Sequence, residues 1–294
     1  MKIKLASSHN GYPGCYDRYG DDQFKMFKKH GYNYATYSQW NTDLWNYTLP
    51  EEVVDERLLN EKKMAEDAGI IISNSHGPWR VPWRDATEED RAERMEKMKR
   101  SIHNTRVLGA KYWVVHPIMP CGIEEDDLPE AKTTWELNKR FMSELTEHAV
   151  KEDVIICLEN MPMLRFSMGR PEDVAKFIEE MNCPHFQGCL DTGHAHIFND
   201  IAIGDAVRVM GDHIKVIHAH DNFYNRDLHL YPLVHGTTNW VELGQALKEV
   251  KFDGIFELEL NPPTRLNDEL FEDHAYLINK IGKELIRMMD MEAE

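Results

Sequence analysis

The chain has 294 residues and few cysteines: Cys15, Cys121, Cys157, Cys183 and Cys189 are odd in number, show no CxxC spacing, and in several cases lie in apolar runs. A disulfide framework is not expected, and a reduced, intracellular protein fits this usage better. No apolar run approaches the ~20 residues that span a bilayer. The opening MKIKLASSHNGYPG is too short and too soon polar for a signal peptide. The expectation is a soluble, cytoplasmic protein with no membrane partner. Basic residues are also scarce, 34 against 51 acidic, for a net charge of −17. That field repels nucleic acid and anionic surfaces while leaving room for a local basic groove. No GxGxxG follows the first apolar run, which argues against a dinucleotide fold. There is no linker or low-complexity tract, so a single domain over residues 1–294 is expected.

What the chain does contain is alternation. Short apolar runs, KIKLAS (2–7), NYATYS (33–38), IIISNSH (70–76), KYWVVHP (111–117), VIICLEN (154–160), HFQGCLD (185–191), HIKVIHAHD (213–221) and IFELEL (255–260), are separated by longer stretches of helical spacing. The helical stretches include 51–69, 87–109, 131–153, 171–181, 239–254 and 267–289, while the segment after the second strand reads as mostly irregular before its helix. Repeated βα units require crossover connections and hence a parallel sheet. Eight of them in this length predict an α/β fold of the closed (β/α)8 TIM barrel type, with an open doubly wound sheet as the rival.

The strand ends hold the chemistry. His76 ends the third strand, His116 the fourth, Glu159 the fifth, Asp191 with His194 the sixth, and His218, His220 and Asp221 the seventh, while the eighth carries Glu257 and Glu259. In a parallel barrel these ends meet at one rim, where barrel enzymes build their sites. Period-two alternation puts His218 and His220 on one face, and likewise Glu257 and Glu259. Singly, each has an ordinary reading: a strand-end histidine is usually hydrogen-bonded structure, and Asp191 could cap the segment that follows. Glu159 is less ordinary, because it follows VIICL and an unpaired buried carboxylate is costly. Together, converging carboxylates repel unless a divalent cation sits among them. An oxygen-rich set with one imidazole suits Mn, Co, Mg or Zn with open positions, and excludes a closed structural zinc.

Through SHGPW, VVHP, LEN, LDTGHAH, HAHDN, RDLHL and FELEL, in that order and at strand ends, the chain resembles the xylose isomerase-like barrel superfamily. That group includes sugar-phosphate isomerases and epimerases, ketose 3-epimerases, inosose dehydratases and endonuclease IV. The resemblance implies one divalent metal held by Glu159, Asp191, His218 and Glu259. The family pattern puts its last ligand five residues after a glycine that matches Gly254, so the resemblance prefers Glu259, with Glu257 the competing assignment. His194 resembles a substrate contact of the epimerases and a second-metal ligand of endonuclease IV, and His76, His116, Asp227 and His229 match further zinc ligands of the latter. His76, His116, His194, His220, Asp227 and His229 are accordingly candidate substrate-binding residues, with His196 structural. Against endonuclease IV stand the net charge and the stretch AHDNFYNRDLHLYPLVHG in place of a DNA-binding loop. The stretch LVHGTTNW has only Gly236 where many sugar-acting relatives have a Gly pair.

The expected activity is a metal-dependent sugar or polyol isomerase or epimerase. A proton next to a carbonyl leaves and returns, and the enediolate charge rests on metal-held oxygens. Glu159 and Glu259 are the candidate acid–base pair. A dehydratase would use the same base and expel a β-hydroxyl. A sugar-binding barrel without turnover is the non-enzyme alternative. Trp40, Trp45, Trp79 and Trp83 could stack on a sugar or merely line the barrel mouth. No phosphate-gripping Gly-rich loop is seen, which favours an unphosphorylated substrate. A homo-oligomer is a family expectation only.

Overall fold

Eight parallel strands form a closed ring: β1 (Lys2–Ser8), β2 (Tyr34–Ser38), β3 (Ile71–His76), β4 (Tyr112–Val115), β5 (Ile155–Glu159), β6 (Phe186–Asp191), β7 (Ile214–Ala219) and β8 (Ile255–Leu258). Each pairs with its sequence neighbours, and β1 pairs with both β8 and β2, which closes the barrel. The computed structural model describes residues 1–8, 16–79, 85–119, 131–224, 226–261, 263 and 265–294. Cys15, Trp83 and Cys121 lie outside the described residues. The fold is the single (β/α)8 barrel that the alternation predicts.

The ring of helices comprises α1 (Gln23–Lys29), α2 (Trp45–Thr48), α3 (Glu51–Asp67), α4 (Glu88–Leu108), α5 (Ala131–Glu152), α6 (Pro171–Met181), α7 (Thr192–Ile197), α8 (Ile203–Met210), α9 (Trp240–Glu249) and α10 (Asp268–Met288). Local signals set several ends. Thr87 caps α4 by accepting the Asp90 amide at 3.1 Å, and left-handed Gly109 stops it. Pro171 opens α6 and left-handed Asn182 ends it. The four-residue α2 falls in the segment that reads as irregular, and two further short elements are also absent from the periodicity. A two-residue strand, β9 (Glu292–Ala293), pairs with β1 at Lys2 and Ile3 and is too short to show alternation. The short α7 starts directly from β6, within LDTGHAHI. No described helix is long and apolar enough to cross a membrane.

Outward strand side chains and inner helix faces make the large core, with Trp113, Phe24, Phe27, Phe177, Phe186 and Phe256 among its fully buried side chains. Inside the barrel lies a second, smaller cluster: Ala6, Tyr34, Val114, Cys157, Cys189, Val216 and Ile255. Because side chains alternate along a strand, the next inward position on β5 is Glu159, on β6 Asp191, on β7 His218 and on β8 Glu257. The barrel's apolar floor thus sets the height at which the polar cluster begins.

Candidate metal centre

Glu159 is the hub of the cluster. It is 1% exposed at the end of β5. Its Oε1 lies 3.3 Å from His218 Nδ1 and 3.4 Å from His194 Nδ1, and its Oε2 lies 3.4 Å from His76 Nε2 and 3.3 Å from His116 Nε2. Burial pushes its pKa up, but the nearby His218 and His116 charges prevail and hold it well below the usual carboxylate range. His218 is completely buried and turns Nδ1 toward Glu159, toward Glu259 Oε2 at 3.1 Å and toward Asp191 Oδ2 at 3.9 Å. Glu159, Asp191, His218 and Glu259 each offer a ligand atom, all within 4.8 Å of one another. Glu159 Oε2 and Glu259 Oε2 are both buried without a hydrogen-bond partner. Two unpartnered carboxylate oxygens beside a third carboxylate and an imidazole nitrogen are what a divalent cation would satisfy. The residues fit the metal that the sequence led us to expect.

The rest of LDTGHAHI explains how Asp191 is held. Its carboxylate both caps α7, accepting the His194 amide at 2.6 Å, and accepts from His220 Nε2 at 2.9–3.0 Å. Capping and ligation are therefore one arrangement rather than alternatives. Asn160 clamps the same residue, accepting the Asp191 amide at 2.8 Å and donating to its carbonyl at 3.2 Å. His220 reaches Asp191 only because position 193 is glycine: a Cβ there would sit 1.9 Å from the His220 ring. His220 is completely buried, between Asp191 and the His229 ring, on which it stacks with centroids 4.0 Å apart.

A second group lies beside the first. The chain leaves β7 and returns through a bridge between Asp221 and Leu230, with both hydrogen bonds at 2.9 Å, and this loop carries Asp227 and His229 over the rim. Asp221 anchors the loop's far side, accepting from the amides of Thr237 and Thr238, the Thr238 hydroxyl and Trp240 Nε1 at 2.8–3.0 Å. Gly236 is needed there, with φ at +85° and no room for a Cβ against the Asp221 carboxylate. His194, His220, Asp227 and His229 can also gather four ligand atoms within 4.8 Å.

Three of these histidines share one device. His76 Nδ1 meets Gly77 O at 2.9 Å, His194 Nδ1 meets Asn160 O at 2.8 Å, and His229 Nδ1 meets Glu259 O at 3.1 Å. Each spends its Nδ1–H on a backbone carbonyl, which turns Nε2 to a carboxylate: Glu159 for His76, and Asp227 at 3.2 and 3.3 Å for His194 and His229. A neutral ring so held presents a lone pair to an anion, so either a proton or a cation must lie between. For the two rings that face Asp227 the electrostatics favour the protonated form. Burial lowers the pKa of His229, but Asp227 and Glu259 outweigh it and bring it to about 9. His194 is raised well above its ordinary value against its burial, by Asp191 and Asp227. Asp227, though burial raises it, is driven far down by His194 and His229. His116, whose burial dominates, is lowered instead.

Among the remaining candidates, His196 lies apart, with Nε2 2.8 Å from Thr237 Oγ1 and its ring stacked on Tyr224 at 4.0 Å. Trp79 stands 6.2 Å from His116 and 5.6 Å from Trp40, ring to ring, so both are at the rim. Trp45 packs on the core under Arg57. Asn160, Asn74 and Thr192 were not singled out in the sequence; Asn160 had a signal, being polar directly after a buried strand carboxylate. The cluster opens where Asp227, His229, Glu259 and His116 keep side-chain exposures of 31, 16, 16 and 14%.

The sequence profile of the xylose isomerase-like TIM barrel family matches residues 24–280, and the chain belongs to that family. An uncharacterized protein of Methanocaldococcus jannaschii is 27% identical over 260 residues, 83% of this chain and 84% of that one. A D-psicose 3-epimerase of Ruminiclostridium cellulolyticum is 24% identical over 255 residues, 79% of this chain and 83% of that one. Among solved structures, a D-tagatose 3-epimerase-like protein superposes with a TM-score of 0.76 at 20% identity over 98% of each chain. A D-psicose 3-epimerase crystallised in the presence of D-fructose superposes with a TM-score of 0.74 at 17% identity, over 96% of this chain and 99% of that one. At such identities the superpositions speak for the fold.

Proposed function

We propose that this member of the xylose isomerase-like barrel family is a divalent-metal-dependent isomerase or epimerase of an unphosphorylated sugar or polyol. The observation that carries the reading is the convergence of Glu159, Asp191, His218 and Glu259 around two unpartnered carboxylate oxygens. The names of the relatives, D-psicose 3-epimerase among them, support the substrate class. A divalent cation held there supplies Lewis-acid stabilisation to oxygen charge developing next to a departing proton. Glu159 and Glu259 are the acid–base pair, reaching the substrate carbon from the two sides of the seat. Glu259 is the more open of the two, and its hydrogen-bond-free Oε2 serves as the base. His194, Asp227 and His229 bind substrate hydroxyls at the rim, with His76 and His116 beside Glu159 Oε2. His220 orients Asp191 and does not touch substrate. Trp79 and Trp40 offer a stacking face beside the opening.

The preset Nε2 directions of His76, His194 and His229 favour one second reading, in which further cations occupy the flanking groups as in endonuclease IV. The test is a panel of ketoses and polyols in D2O with added Mn, Co, Mg or Zn. A sugar product carrying solvent deuterium at the epimerised carbon supports the proposal. Loss of water without exchange-coupled isomer points to a dehydratase. No sugar turnover together with cleavage of abasic DNA overturns the proposal for the second reading.

A further inference from the structure

Glu257 is the one carboxylate of the cluster that the proposed reaction does not use. It sits one inward step below Glu259, 2% exposed, and its Cα lies directly opposite that of His218 in the β7–β8 register. We infer that Glu257 is a positioning residue: it takes the Nε2–H of His218 and so keeps the Nδ1 lone pair turned toward Glu159, Asp191 and Glu259. The purpose of that arrangement rests on the metal-seat reading above; the geometry does not.

Three observations lead there. His218 Nε2 is completely buried, has no hydrogen-bond partner in the structure, and faces Glu257 Oε2 at 3.5 Å. A contraction of about 0.5 Å would make this a full hydrogen bond to a carboxyl oxygen. Second, Glu257 is itself aimed. Asn74 Nδ2 donates to the same Oε2 at 2.9 Å, and the amide cannot turn over because its Oδ1 accepts from Thr36 Oγ1 at 3.1 Å and Ser73 Oγ at 2.8 Å. Third, the His76 ring lies nearly parallel to that of His218, with centroids 5.6 Å apart, so the freedom left to His218 is chiefly a ring flip. Glu257 is the group that distinguishes the two flipped states. The rival is Cys189, whose thiol also comes within hydrogen-bonding reach of His218. A neutral thiol is a weak acceptor beside a carboxylate. Outer carboxylates of this kind fix the tautomer and direction of ligating histidines, and their loss typically lowers metal affinity about 10–100-fold.

The test uses the full chain labelled with 15N-histidine, its His218 signals identified by their loss in His218→Asn, together with zinc titration of the parent, Glu257→Gln and Glu257→Leu. The expected result is an exchange-protected His218 Nε2–H that shifts and exchanges faster in Glu257→Gln. Zinc affinity should fall about 10–100-fold in Glu257→Leu, with Glu257→Gln between it and the parent. An unmoved Nε2–H resonance in Glu257→Gln, with zinc affinity kept within about twofold, overturns the inference and leaves Cys189 as the partner. If Glu257→Leu does not fold, Glu257→Gln decides alone. If the parent binds no zinc, the metal-seat reading fails while the Nε2–H resonance still decides the role of Glu257.

Discussion

The two rings of side chains inside the barrel come from the same strands and differ in almost every other respect. The lower ring, with Val114, Cys157, Cys189, Val216 and Ile255, is small and apolar. One inward step higher, those strands present His116, Glu159, Asp191, His218 and Glu257. The lower ring makes no demand on a ligand, since its groups are satisfied by contact alone. The upper ring is buried almost as deeply yet leaves Glu159 Oε2, His116 Nδ1 and His218 Nε2 without hydrogen-bond partners, and one step further along the same is true of Glu259 Oε2 and His220 Nδ1. Burial with unmet polar groups is a cost that stability alone would not retain. The lower ring is therefore structure, and the upper ring carries the residues that could hold a metal ion on top of it.

Substitutions one step apart on the same strands should separate the two rings. The largest effect is expected at Glu159→Gln, where turnover of the preferred sugar falls by about 10³-fold or more while circular dichroism remains that of the parent. Comparable turnover in parent and mutant would remove Glu159 from the chemistry. Next is Asp227→Asn, at the rim but outside the four-ligand seat. It should lower kcat/KM by about 10–100-fold, the worth of a charge-assisted hydrogen bond, without changing metal content. A loss of metal in this mutant would instead make Asp227 a ligand. One step down, Val114→Ala is expected to cost about 2 kcal/mol in urea unfolding and leave kcat unchanged. A mutant as stable as the parent but catalytically damaged would erase the distinction between the rings.

The histidines offer a smaller test with opposite signs. His229 has its folded-state pKa raised to about 9, so in the metal-free protein its contribution is complete below about pH 6.5 and is lost as pH rises through about 9. His30, far from the site and buried among Tyr19, Tyr276 and Glu272, has its pKa lowered by burial. Its neutral form is favoured in the fold, so its contribution is complete above about pH 6.5 and lost on acidification. Melting of His229→Gln against the parent should differ less at pH 10 than at pH 6, and His30→Gln should differ less at pH 5 than at pH 8. The same trend in both would contradict the assigned environments.

The barrel was legible because its signals are local. Eight apolar runs, Thr87 and Gly109 around α4, and Pro171 before α6 each act within a few residues. The upper ring was legible for a related reason: a carboxylate or imidazole at the end of an apolar run stands out against period-two alternation. What escaped notice depends on partners distant in sequence. Asn74 serves Glu257 across 183 residues, and Gly193 makes room for the His220 ring just past β7. The contact of His220 with Asp191, 29 residues earlier, is equally invisible to spacing. The single Gly236 of LVHGTTNW likewise makes sense only once Asp221 is seen to gather Thr237, Thr238 and Trp240 around it.

The most direct measurement is elemental analysis of bound metal per chain, for the purified parent and for Glu159→Gln. The account predicts about one equivalent of Mn, Co, Mg or Zn in the parent, lost in the mutant, since Glu159 joins every ligand of the central seat. A parent that binds no divalent metal at any of these four, or a Glu159→Gln protein that keeps its full equivalent, would contradict it.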